Sequence, residues 1–162
     1  MCELARARLD LLSLATPHQP TTPPAIRAAA LLGAAGGLRS AMPWGALALA
    51  GRFGGVVGRL GPLVAVAGEL VGDKLPQTPS RTSPPALAAR LGSGAAAGWL
   101  VAGAPGAALG SAAAGLSALA GERTRAALGA RTGLPDPLIA LAEDAVAIGA
   151  ALAATRQAAG AA

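Results

Sequence analysis

From Leu91 to Gly121 the chain runs without a single charged residue. A hydrocarbon core of about 30 Å takes roughly 20 apolar residues per helix, so this stretch is too long for one crossing. Pro105 lies near its middle and divides it into two helices. The remainder has the same character. Hydrophobic residues make up 53% of the sequence and charged residues 13%, about half the charged share of a soluble domain. The expected class is an all-α membrane protein whose main partner is the lipid bilayer.

Composition also narrows the chemistry. The net charge is +5, yet the basic residues are scattered singly, with no Tyr and one Phe to stack on bases. Nucleic acid is therefore not an expected partner. Arginines facing anionic head groups account for the positive balance, although they fall too evenly along the chain to set an orientation. Cys2 is the only cysteine and His18 the only histidine, so neither a disulfide framework nor a His/Cys metal site can form within one chain. No nucleophile elbow and no phosphate-cradling loop is present. Neither an enzyme nor a catalytic residue is expected, and no cofactor.

Proline-rich tracts divide the chain. Residues 1–24 carry Glu3, Arg6, Arg8 and Asp10 and end in a Pro/Thr-rich run, which suits an interfacial or disordered segment better than a signal peptide. A second tract over residues 75–85 holds four prolines, through which no helix continues. The membrane domain is then 25–157, with halves 25–76 and 86–157 and a tail at 158–162. Each half divides into three helices with a Pro-marked break after the first: 25–41, 44–53 and 60–74, then 86–103, 106–120 and 134–155. Three crossings are odd in number, so the second half is inverted relative to the first. The expected architecture is about six short or broken transmembrane helices in two inverted three-helix repeats. Gly94 and Gly98, and Gly106 and Gly110, have the small-xxx-small spacing of close helix contact. Such packing, within the chain or in a homodimer, is their expected use.

Gly61-Pro-Leu-Val-Ala-Val-Ala-Gly-Glu-Leu-Val-Gly-Asp73 recurs in outline as Asp136-Pro-Leu-Ile-Ala-Leu-Ala-Glu-Asp-Ala-Val-Ala-Ile148. The recurrence puts Glu69 and Asp144 at matching points of two apolar segments. Carboxylates in such segments are costly and usually face the bundle interior. Asp73 shares a helical face with Glu69, being four residues on. Glu143 and Asp144 are about 100° apart around one helix, so they cannot point the same way. One of them is expected to pair with Arg39 or Arg90 and the other to line a cavity. Arg39, just before Pro43, suits an anion, a facing acid or a snorkelling position at the lipid surface. The run Gly121-Glu-Arg-Thr-Arg125 reads as a solvated loop.

Gly37-Leu-Arg-Ser-Ala-Met-Pro43, Glu69-Leu-Val-Gly-Asp-Lys-Leu-Pro76 and Pro79-Ser-Arg-Thr-Ser-Pro-Pro85 together resemble an uncharacterised bacterial integral-membrane family, the domain of unknown function 4126. The likeness covers about residues 26–155. It implies a multi-pass protein of the bacterial inner (plasma) membrane and marks Arg39, Glu69, Asp73 and Lys74 as signature positions, without supplying an activity. The function expected from the residues is a transporter or channel for a small solute or ion. Glu69 and Asp144 would line a midplane site with Arg39, Asp73 and Glu143 as partners. The alternative is a structural or assembly protein whose buried charges only lock its helices together.

Overall fold

The computed structural model describes residues 21–72 and 82–159, and these hold five helices and no strand. Helix α1, Pro23–Leu38, opens on two prolines, whose fixed φ and missing N–H suit a first helical turn. It ends where Arg39 turns extended, at φ −142° and ψ 109°. Helix α2, Met42–Leu49, opens on Pro43 in the same way, and α3 is Gly55–Gly72.

Helix α4, Pro84–Thr132, is folded back on itself. Ala102 and Gly103 leave the helical region, and Gly103 takes φ 62° with ψ −151°, a conformation open essentially to glycine alone. The two arms, 84–101 (arm a) and 104–132 (arm b), run antiparallel, with Gly98 against Gly106 and Gly94 against Gly110. The two small-xxx-small pairs thus pack on each other within one chain. Arm b continues through the segment expected to be a charged loop over 122–131. Glu122, Arg123, Ala126 and Ala127 are strong helix formers, and the first stop is Gly133, at φ 64°, donating to the Gly129 carbonyl at 3.1 Å. Helix α5 is Asp136–Ala159.

Between α1 and α2 the chain reverses. Arg90, near the start of arm a, binds the end of α1, while Arg52, just past α2, donates to the Leu100 carbonyl at the far end of the same arm. So α1 runs antiparallel to arm a, and α2 returns along it. The segments expected as separate helices over 25–41 and 44–53 are indeed two helices, the second only eight residues long. Helix α3 then runs antiparallel to α2, Gly45 facing Val66 while Ser40 meets Glu69.

The core is made of small side chains. Ala25, Ala28 and Ala29 of α1 lie with Ala97 of arm a and Ala147, Ala151 and Ala154 of α5, while Val57 and Leu116 point outward at 84% and 70% exposure. Water would drive the opposite sorting. In lipid there is no such drive, and small residues gather where backbones approach each other. Helices α3, α4 and α5 are long and apolar enough to cross a membrane, which fits a membrane protein.

Candidate functional site

Ending a helix inside a bundle exposes its last carbonyls and the first amides of its successor, and each must find a partner where water is absent. At residues 37–41 the partners come from two other helices, α3 and arm a of α4. The Gly37 and Leu38 carbonyls each accept from Arg90 Nη1 of arm a at 2.9 Å. The Ser40 and Ala41 amides donate to the Glu69 carboxylate of α3 at 2.7 Å each, and the Ser40 hydroxyl adds a bond of 2.8 Å. The Ser40 carbonyl accepts from Ser93 Oγ at 2.6 Å, and Ser93 in turn accepts from the Trp44 indole at 2.9 Å. Arg39 itself donates to Ala35 and accepts from Met42.

The charges follow the helix dipoles. A guanidinium caps the carbonyl end of α1 and a carboxylate caps the amide end of α2, each the favoured sign for its terminus. Arg90 and Glu69 also lie 4.0 Å apart. Beside them Arg39 Nε meets Asp144 Oδ1 at 2.6 Å, with the Arg39 side chain 1% exposed and that of Asp144 9%. Two arginines and two carboxylates form a cluster without net charge. Along α3, at roughly 1.5 Å per residue, Glu69 lies about 21 Å from Gly55 and about 4.5 Å from Gly72.

Asp144 reaches this place through helical spacing. Apart from Ile139, the buried positions along α5 are Ala140, Asp144, Ala147, Ala151 and Ala154, and they form one seam at the three-and-four spacing of close helix packing. Glu143 falls off that seam and lies 3.6 Å from Arg125 of arm b, which also grips Asp136 with two bonds of 2.5 Å. That second cluster ties the end of arm b to the start of α5.

Of the expected site residues, Glu69, Asp144 and Arg39 therefore come together at the break, and Glu143 belongs to the neighbouring cluster. Asp73 and Lys74 lie outside the described residues, as do residues 1–20 and most of the 75–85 tract. Arg39 is buried and paired, so it does not snorkel to the lipid surface. Arg125 was expected in a solvated loop and is instead the hub of an ion-pair cluster on a helix. Ser40 and Ser93 carried no sequence signal, because a serine that bonds backbone is indistinguishable from one that faces solvent.

The chemistry open to this arrangement is exchange of hydrogen-bond and ion-pair partners at a helix break. Among the described residues no group of His, Cys, Asp and Glu has the geometry to hold a metal ion. Comparison of the chain with family models, curated proteins and solved structures yields no match.

Proposed function

We propose that the chain is a multi-pass inner-membrane protein of two inverted three-helix units, and that the cluster at the α1–α2 break is a gated site through which a small solute or ion passes. The observation that carries this reading is the attachment of α3. None of its residues is buried, it packs mainly on α2, and Glu69 is the carboxylate that fastens it to Ser40 and Ala41. A helix with no buried residue, fastened near one end through a carboxylate that can exchange hydrogen-bond partners, has the makings of a gate. A broken helix with charges at its ends is also the usual form of a midplane transport site. The inverted relation of the halves is supported by the antiparallel run of α1 and arm a. The likeness to the bacterial membrane family rests on its motifs alone and adds the inner-membrane location.

The complete pairing of both carboxylates favours a second reading, in which the cluster only locks the helices. One experiment separates the two. Glu69→Gln and Asp144→Asn proteins, reconstituted in liposomes, are expected to insert and fold while proton or solute flux falls at least about tenfold, the loss of roughly 1.4 kcal/mol of site interaction. Normal folding with unchanged flux rules out the site, and loss of folding in both variants supports the locking role.

A further inference from the structure

Where α2 turns into α3 there is an open groove of about 370 Å³, lined by Trp44, Phe53, Gly58, Gly61, Pro62 and Ala65. Its lining is wholly apolar. The Trp44 and Phe53 rings stack with centroids 6.3 Å apart, which makes one firm wall. A Cβ added at Gly61 would meet nothing within 4 Å, so the opposite wall leaves room for a guest. Between Ser40 and Gly68 the chain has no acidic residue and two arginines, Arg52 and Arg59. Each adjoins a groove residue in sequence. Arg52 is fixed by its bond to the Leu100 carbonyl. Arg59 is exposed and makes no hydrogen bond or ion pair with another described residue.

We propose that this groove is a binding site for an anionic phospholipid, one acyl chain lying against Trp44 and Gly61 and the phosphate meeting Arg59 and Arg52. Charge decides between a lipid and a second copy of the chain. A two-fold contact through the groove would gather Arg52 and Arg59 of both copies in one interface with no acidic residue of this stretch to offset them, whereas a phosphate neutralises them. The site also reaches the charge cluster, because the Trp44 indole that walls the groove donates to Ser93, and Ser93 holds the Ser40 carbonyl. The site stands whether or not the cluster conducts anything.

Quenching of tryptophan fluorescence by brominated lipid tests it. The chain has two tryptophans, so Trp99→Phe leaves Trp44 as sole reporter. In phosphatidylcholine vesicles, a few mole per cent of brominated phosphatidylglycerol is expected to quench Trp44 where the same amount of brominated phosphatidylcholine does not. Arg59→Gln is expected to cut that preference about fivefold, the share of one arginine near a lipid surface. Gly61→Leu fills the groove and is expected to abolish the quenching. Equal quenching by both lipids overturns the proposal, since Trp44 then sees only bulk lipid. Absence of quenching by either lipid also overturns it, since the groove is then covered by protein. Arg59 is at the surface, so its variant tests the charge term even where Gly61→Leu does not fold.

Discussion

Arg39→Met is expected to destabilise the helix assembly by about 3–5 kcal/mol, the usual cost of stranding one member of a buried ion pair. The change leaves Asp144 on an alanine seam, between Ala140 and Ala147, without the guanidinium that now meets it at 2.6 Å. Its side chain is only 9% exposed, so little of the carboxylate can reach water where it stands. The double variant Arg39→Met/Asp144→Val removes both charges and is expected to recover most of the loss, because apolar side chains of similar volume often replace a buried pair at no net cost. Arg125→Gln is the internal comparison. Asp136, its closest partner, has a side chain 67% exposed, while Glu143 at 3.6 Å has one 11% exposed, so its loss is expected to cost less than the loss of Arg39. Unfolding by dodecyl sulfate in mixed micelles measures the parent and these three variants, and the single variant Asp144→Val completes the double-mutant cycle. A single variant within about 1 kcal/mol of the parent, or a double variant no better than the single, shows that the pair is not what holds α5 against α1.

The all-helical character and the two Pro-marked breaks were legible because they depend on local chemistry. A proline at the first turn stops the preceding helix whatever surrounds it, and a run of 31 uncharged residues between Arg90 and Glu122 belongs in few places other than lipid. The direction of the chain after each break was not legible. Pro43 and Pro105 look alike in sequence, yet the first follows an extended Arg39 and the second a glycine at positive φ. That difference is decided by which helices stand ready to take the freed backbone groups. The extension of arm b through Glu122 to Arg131 was missed because charge was read as a loop signal, whereas a helix leaving an apolar layer carries charge on its exposed turns without ending. Pairing of Arg39 with an acid of α5 was anticipated. The choice of Asp144 over Glu143 required the alanine seam, whose register became visible only once the burial of α5 was known. Glu69 was expected to line a midplane site, and its capping of backbone was not legible, because that role depends on α2 presenting its first amides to α3.

The glycines offer the sharpest contrast between positions of identical sequence chemistry. Gly110→Ala is expected to cost about 3 kcal/mol, the upper end of what one extra methyl group does in a filled core. A Cβ there would lie under 3.0 Å from the Gly94 carbonyl oxygen, and the Gly110 carbonyl is itself where an added Cβ at Gly33 or Gly94 would strike. Gly110 is thus the point where α1 and both arms of α4 touch backbone to backbone. An overpacked side chain elsewhere can turn to another rotamer, but a carbonyl in a helix ladder cannot yield without the whole arm shifting. Gly92 lies in the same helix, one turn or less from Gly94, and a Cβ there would meet nothing within 4 Å. Gly92→Ala therefore gains only helix propensity and is expected to stabilise by about 0.8–1 kcal/mol. The same substitution at two glycines of one helix should then move the unfolding midpoint in opposite directions. Equal shifts of one sign would mean that the arms of α4 do not fold against each other at Gly94 and Gly110, and with that the packing of α1 on both arms would fall.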